Sequence, residues 1–389
     1  MKIAIITSGV LPIPAVQGGA VENLIDFYLD YNNTHKLHDI TIYSIFHKKV
    51  LTNPALLSDV NHYEYINTKS IIYRLKMKVY GLTPHEDTYY YTLEYYFEEV
   101  FKKMRRKDFD LIILENRPGF AIKLKQRKPN IPIISHIHTN MLYDYSPKNE
   151  SIFKATDKFI AVSEYIRSQI ENVGLHARIE TVYNGLDPAI FNDKVSPIER
   201  EHVGFTNEDF VVLYTGRLVP DKGIKELLLA IQKLKDYKDI KLLIIGSENF
   251  ADSKSKSPFF KELKQIANTL EKRIVFIGFI PYNILPKYIA ATNLMIVPSH
   301  INEALGMVCI EACAMGLPVI ATNDGGIPET LIGQKSIIID KSYDLPHAIA
   351  DAILEIKNHY SDYQGNCLNP IFTKETYAQS FFKCIEELN

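Results

Sequence analysis

Cysteine is scarce in this chain, with four residues in 389 (Cys309, Cys313, Cys367 and Cys384) and no CxxC pair. That excludes a disulfide-built scaffold and a zinc-ribbon pattern, and makes a reducing cytoplasm the simplest expected compartment. No segment approaches 18 uninterrupted apolar residues, so no membrane-spanning helix is expected and any membrane contact must be peripheral. Met1-Lys2 runs directly into the apolar segment Ile3–Ile6, without the charged and long apolar regions of a signal peptide. Neither sign of charge dominates: 44 Lys and Arg stand against 46 Asp and Glu, which gives no general reason to expect nucleic acid as a partner. Internal repeats and low-complexity tracts are absent, and so is GxGxxG, so dinucleotide binding of that type is not indicated.

An apolar content of 46% over 389 residues can build two cores. Short apolar runs of buried, parallel-strand type alternate with helix-period segments along the whole chain. Strands are expected at 2–6, 40–44, 61–67, 111–114, 131–137, 158–163, 180–183, 210–214, 241–245, 274–277, 294–297, 319–321 and 336–339. Helices are expected at 20–31, from about 89 to the basic cluster at 102–107, and at 164–173, 224–234, 259–270, 282–291, 345–360 and 374–388. The polar stretches 192–207 and 249–257 read as a linker and a loop. This alternation predicts α/β architecture with parallel sheets.

The stretch from Pro298 to Ile332 concentrates the chemistry. A strand ends at Pro298-Ser299, Glu303 follows in a loop, and Leu305-Gly306 leads into a helix that Gly316 and Pro318 stop before the next strand. In open parallel sheets, ligands sit outside the carboxyl ends of the strands, where this loop falls. Gly306 permits close backbone approach, and the amides of Met307 and Val308 point out of a helix N-terminus, which suits an anion. Glu303 precedes the helix and Glu311 is about one turn inside it. Two carboxylates flanking free N–H groups suit a ligand with an anionic middle and hydroxyl-bearing ends, such as a nucleotide sugar. The alternative is a surface helix whose acids only stabilise its dipole.

Other segments carry weaker signals. Gly18-Gly19, with Glu22, closes a loop before a helix. Gly216-Arg217 and Lys222-Gly223 bracket a strand-to-helix loop whose cations are either solvated or anion-binding. Gly278-Phe279-Ile280 runs from a strand into a loop. His136 and His138 share a strand face and could chelate zinc, but no third ligand is evident nearby; one core and one cleft histidine is the preferred split. Asp108-Phe109-Asp110 precedes a strand, at the wrong end for a ligand, and reads as a turn. Lys69–Gly81 (KSIIYRLKMKVYG) mixes bases with apolar residues and contains no acid, and 102–107 (KKMRRK) is a second basic cluster. Such stretches can lie on an anionic membrane, or can be solvated helix faces packed on the core by their apolar sides.

Glu303, seven residues, Glu311, then Ala312, Gly316, Pro318-Val319, Gly325-Gly326 and Glu329 resembles the donor-site pattern of retaining glycosyltransferases of family 4. Gly18-Gly19-x-x-Glu22, His138-Thr139, Asn184-Gly185-Leu186-Asp187 and Gly216-Arg217…Lys222-Gly223 extend the resemblance over most of the chain. It implies a GT-B fold: two Rossmann-like domains facing each other across a cleft, with a C-terminal helix crossing back. The expected parts are an acceptor-binding domain (1–193), a donor-binding domain (194–372) and that helix (373–389). The resemblance also implies that Arg217 and Lys222 hold the donor diphosphate without a metal or other cofactor. Glu311 is expected on ribose hydroxyls, Glu303 on the transferred sugar, and Leu305, Gly306, Met307 and Val308 on the sugar and phosphates. Phe279-Ile280 is expected at the base, His138 near the anomeric carbon, and Gly18-Gly19 near the phosphates or acceptor. Ala304-Leu305 departs from the aromatic that many members carry before the glycine.

The expected activity is therefore retaining transfer of a hexose or N-acetylhexosamine from a nucleoside-diphosphate sugar, with uridine diphosphate the commonest carrier. The expected acceptor is a saccharide, preferably lipid-linked, at the inner face of the cell membrane in polysaccharide assembly. A GT-B nucleotide-sugar epimerase and a non-catalytic sugar-nucleotide-binding subunit are the alternatives.

Overall fold

The computed structural model describes residues 1–85, 88–142, 148–248, 257–341 and 344–388, and nearly all of the loop expected at 249–257 lies outside them. The chain forms two compact units, Met1–Gly185 with Lys374–Asn389, and Leu186–Thr373.

Unit 1 is built on seven strands: β1 (Lys2–Ile6), β2 (Asp39–Ile45), β3 (Asn61–Ile66), β4 (Leu111–Glu115), β5 (Ile133–Ile137), β6 (Lys158–Ala161) and β7 (Ile179–Thr181). They pair in parallel in the order β3-β2-β1-β4-β5-β6-β7. Because both faces of the central strands are covered, β1 and β4 are apolar over nearly their whole length and not alternating, whereas the edge strand β3 (NHYEYI) is mixed. Ile3, Ile5, Ile113 and Ile134 face Leu24, Ile25 and Tyr28 of the helix Ala20–His35. Ala4, Ile6, Ile112 and Leu114 pack on the other side against Phe97, Val100 and Phe120. Asp108-Phe109-Asp110 leads from the preceding helix into β4 with a bend at Asp110, whose carboxylate accepts the Lys2 N–H (2.7 Å) at the amino end of the sheet.

The terminal helix Lys374–Glu386 belongs to this unit's core. Phe381 stacks on Tyr28 with ring centroids 4.2 Å apart. The fully buried Lys158 ammonium pairs with Glu180 and donates to the Cys384 carbonyl (2.7 Å). Phe381→Ala is expected to cost about 3–5 kcal/mol, as for other buried aromatic truncations. Urea denaturation of the full chain reads this, and a loss below about 1 kcal/mol would show that the helix is not part of the core.

Unit 2 has six strands: β8 (Phe210–Thr215), β9 (Ile240–Ile245), β10 (Ile274–Gly278), β11 (Leu294–Val297), β12 (Val319–Thr322) and β13 (Ser336–Ile339). They form a parallel sheet in the order β10-β9-β8-β11-β12-β13. Its main core joins Val212, Tyr214, Leu242 and Ile244 to the helices Ile224–Lys233 and Leu345–Asn358.

Several elements differ from expectation. The helix expected at 282–291 is only Leu285–Ile289. Proline is tolerated in a first helical turn because that N–H has no helical partner, so Pro286 fixes the start. The polar stretch 192–207 is docked to unit 2 and is not a free tether. The Arg200 guanidinium donates to the carbonyls of Ala291 (2.8 Å) and Asp209 (2.7 Å) and to Asn293 (2.9 Å).

Candidate active site

Each sheet has one place where the strand order reverses direction: between β1 and β4 in unit 1, and between β8 and β11 in unit 2. Loops leaving the carboxyl ends of such neighbours splay apart and open a crevice for a ligand. The residues singled out in the sequence fall largely on these loops.

In unit 2, Arg217 and Lys222 lie on the loop after β8, and Glu303 on the loop after β11. The two loops are tied together. The His300 N–H donates to the Asp221 carbonyl (3.1 Å). Gly223, at φ 66°, approaches Pro298 so closely that a Cβ would sit 1.9 Å from the Pro298 carbonyl oxygen. That contact brings the Lys222 ammonium into an ion pair with the Glu303 carboxylate. Both side chains keep about a quarter of their surface in solvent (26% and 21%), so the pair contributes at most about 1 kcal/mol. An incoming phosphate can therefore take Lys222, and a sugar hydroxyl can take Glu303, at little cost. Arg217 is solvent-exposed, its carbonyl held by the Tyr214 hydroxyl (2.7 Å).

The helix Met307–Ala314 starts from Gly306 in the left-handed conformation (φ 92°), and no side chain caps it. The first N–H groups of a helix have no intrahelical partner, so those of Met307 and Val308 face the same loop as Glu303. Leu305 is buried beneath this turn. Glu311 sits inside the helix, and burial pushes its carboxyl up to about 8. Phe279 is half exposed on the loop after β10, at the same carboxyl edge, with Ile280 partly buried beside it. The structure thus places Lys222 against Glu303 directly, and Arg217, Gly306, Met307, Val308, Glu311 and the Phe279-Ile280 loop along one edge of one sheet.

In unit 1, Gly18-Gly19 follows β1 and leads into the helix Ala20–His35. Gly19 is favoured by its backbone conformation, at φ 111°, and a Cβ there would also push aside the Glu22 carboxylate, 2.1 Å away. Burial pushes that carboxyl up to about 7. His136 and His138 do not divide into a core and a cleft residue. Both are buried, with rings 4.0 Å apart. The group missing from the sequence reading is Glu115, at the end of β4, which pairs in register with His136 on β5.

Glu115 accepts from the Tyr28 hydroxyl (2.9 Å) on one oxygen, and from His136 (3.2 Å) and His138 (2.8 Å) on the other. Burial opposes its charge, yet the two imidazoles hold it well below the usual carboxylate range. Burial, with the His136 charge, lowers His138 to about 4. The next residue, Asn116, has φ 55°, and its side-chain oxygen accepts the His138 N–H and the Thr139 hydroxyl (both 3.1 Å).

Among the described residues, Glu115, His136 and His138 form the one group with metal-ligand spacing, their ligand atoms lying within 4.8 Å of one another. Metal-bound histidines donate their second N–H to a partner. Here His136 Nε2 and His138 Nδ1 are buried with none, and both Glu115 oxygens are already engaged. The geometry is that of a saturated buried carboxylate.

Two parallel α/β units, each with loops gathered at its switch point, have the GT-B build. The structure superposes on the crystal structure of Anabaena Alr3699/HepE in complex with UDP and glucose with a TM-score of 0.73, at 22% identity, covering 99% of each chain. Residues 195–365 match the family Glycosyl transferases group 1, and residues 59–190 match Glycosyltransferase Family 4. The chain belongs to this group 1/family 4 of glycosyltransferases. Relatives include spore coat protein SA of Bacillus subtilis, 27% identical over 369 residues (92% of this chain and 90% of that protein). The capsular polysaccharide biosynthesis glycosyltransferase CapM of Staphylococcus aureus is 32% identical over 226 residues, 56% of each chain.

Proposed function

We propose that this glycosyltransferase moves a hexose or N-acetylhexosamine, with retention, from a uridine-diphosphate sugar to a lipid-linked saccharide in polysaccharide assembly. The observation that carries the reading is the convergence of Lys222, Glu303 and an uncapped helix N-terminus at the switch point of unit 2, with Glu311 buried in that helix. In the reaction, the bond from the anomeric carbon to the diphosphate breaks, its electron pair leaving with the diphosphate, as a bond to an acceptor hydroxyl forms on the same face of the sugar and the hydroxyl proton passes to the departing phosphate oxygen. The departing diphosphate gains negative charge, which Arg217, Lys222 and the Met307 and Val308 amides stabilise. Preorganised charge of this kind lowers the barrier without a metal. Glu311 accepts from the ribose hydroxyls, and Glu303 positions the transferred sugar. The Gly18-Gly19 turn and His138 belong to the acceptor half. The relative CapM, named for capsular polysaccharide biosynthesis, supports the product class, and the UDP and glucose of the Anabaena structure support the carrier.

The test is transfer from UDP-sugars to a lipid-linked saccharide with chelator present, the product's anomeric configuration being read by NMR. Retained configuration without metal is expected; an inverted product or strict magnesium dependence would contradict the reading.

Membrane attachment is supported by the helix Ile71–Tyr80, which packs on the core through Tyr73, Met77 and Tyr80 and leaves a second apolar side exposed. Tyr73 is its one buried residue, whereas Ile71, Ile72, Leu75 and Val79 are 60–79% exposed among Arg74, Lys76 and Lys78. The cluster 102–107 contributes less, since Lys102 pairs with Glu99, and Lys103 and Lys107 with Glu64. No helix among the described residues is long and apolar enough to cross a membrane. Each base near an anionic surface gains about 1 kcal/mol. The chain is therefore expected to sediment with phosphatidylglycerol vesicles at low salt, and the Ile72→Glu/Leu75→Glu double variant is expected to stay in the supernatant. Equal sedimentation of both would place the contact elsewhere.

A further inference from the structure

The loop that carries Glu303 is held from beneath by Asp324, which follows β12 and was not singled out in the sequence. Its side chain is 1% exposed and ion-paired with Lys341. One carboxylate oxygen accepts the Glu303 N–H (2.8 Å), and the other accepts the Asn302 N–H (3.2 Å). Asn302 itself takes a left-handed conformation (φ 46°), which asparagine adopts more readily than most residues. The contact is two-sided. The Gly326 N–H donates to the Glu303 carbonyl (2.8 Å), and a Cβ on Gly325 would lie 2.0 Å from that carbonyl oxygen. Lys341 also reaches the His300 carbonyl (3.4 Å), at the other end of the loop. Both backbone groups of Glu303 are thus fixed by the segment Asp324–Gly326, while its carboxylate is left to the ion pair with Lys222.

A cap that only closed a turn would not need a buried charge. Two N–H groups can be satisfied by water at an exposed loop, whereas a buried carboxylate costs desolvation unless its hydrogen bonds and counter-charge are in place. The arrangement fixes the direction of one side chain at the crevice. We propose that Asp324, with Lys341 as its counter-ion, is a positioning residue that sets the Glu303 carboxylate for the transferred sugar and has no part in holding the nucleotide.

This inference rests on the donor reading above, in which Glu303 serves the sugar while Arg217 and Glu311 serve the nucleotide. It predicts a split that a general loss of folding would not give. In Asp324→Asn, one backbone N–H or the Lys341 ammonium must face an amide NH2 group, so the loop shifts. The kcat for transfer from the UDP-sugar is expected to fall about tenfold or more, the scale of one lost hydrogen bond to a charged group. The Kd for free uridine diphosphate, measured by titration calorimetry on the same preparation, is expected to stay at the wild-type value. Lys341→Gln, at a partly exposed position that leaves the fold intact, is expected to lower kcat in the same direction by a smaller factor, again with unchanged Kd. An unchanged kcat in both variants, or a fall in kcat matched by an equal loss of uridine diphosphate affinity, would overturn the assignment. Failure of the wild-type chain to bind any nucleoside diphosphate would instead strike the donor reading, so the two failures are separable.

Discussion

Glu311→Ala is expected to weaken binding of the donor by about 2–4 kcal/mol, the range for losing a charged hydrogen-bond pair in a dry site. Titration calorimetry with the nucleotide sugar reads it directly, and wild-type affinity in the variant would remove Glu311 from the site. The residue also gives donor binding a pH signature. Burial raises its carboxyl from 4.5 to about 8 in the ligand-free protein. A group whose folded pKa lies above its unfolded value stabilises the fold below the unfolded pKa and loses that contribution as pH rises through the folded one. Between about pH 4.5 and about pH 8 the ligand-free unit therefore holds a proton that the unfolded chain has released, and its stability declines across that window. Ribose hydroxyls donate best to the ionised carboxylate, so binding expels the proton. Donor affinity should then rise by up to about tenfold per pH unit towards about pH 8 and level off above it. In Glu311→Gln the slope should vanish; a slope preserved in the variant would assign it to another group.

Arg217→Ala and Lys222→Ala are each expected to lower kcat/KM by about 10²–10³-fold, the effect of removing one preorganised charge from the developing anion. Their stabilities should change little, because the Lys222–Glu303 pair is partly solvated and contributes at most about 1 kcal/mol. Steady-state kinetics beside thermal denaturation separate the two quantities. A large fall in stability with activity retained by the folded fraction would make the pair structural. Arg217→Lys should recover only part of the loss, since an ammonium is a point charge and cannot chelate a phosphate as the guanidinium fork does.

The candidate site of unit 2 was legible because its chemistry is local. Glu303, Gly306 and Glu311 lie within one strand–loop–helix segment, and the order of strand, loop and helix places them at the strand's carboxyl end before any tertiary contact is known. The strands were equally plain, since runs such as Ile3–Ile6 and Leu294–Val297 are buried on both faces and carry no polar interruption. Residues that act across the sheet were not legible. Glu115 meets His136 and His138 only because β4 and β5 pair in one register, and Asp324 reaches Glu303 only through the β11–β12 neighbourhood. Their one local trace was position, each being a carboxylate at or just past the end of an apolar strand. The helices Phe120–Arg127 and Asn149–Ala155 escaped because they are short and open without a side-chain cap, whereas Glu164–Glu171, also 8 residues long, is announced by the Ser163 cap. The apolar residues of Ile71–Tyr80 had two readings in the sequence, core or surface, and the structure divides them: Tyr73, Met77 and Tyr80 pack on the core, and Ile71, Ile72, Leu75 and Val79 are exposed.

The most direct test of the central claim, that unit 2 holds a nucleoside-diphosphate sugar through Arg217, Lys222 and Glu311, is a thermal-shift titration of the full chain. It uses UDP-sugars and free uridine, guanosine and adenosine diphosphates, with and without magnesium. A ligand present at about 100 times its Kd adds about 2.7 kcal/mol to the folded state. The predicted result is a clear rise in Tm with uridine diphosphate and its sugars, equal with and without magnesium, and abolished in Arg217→Ala and Glu311→Ala. No rise with any nucleoside diphosphate, or an equal rise in both variants, would contradict it.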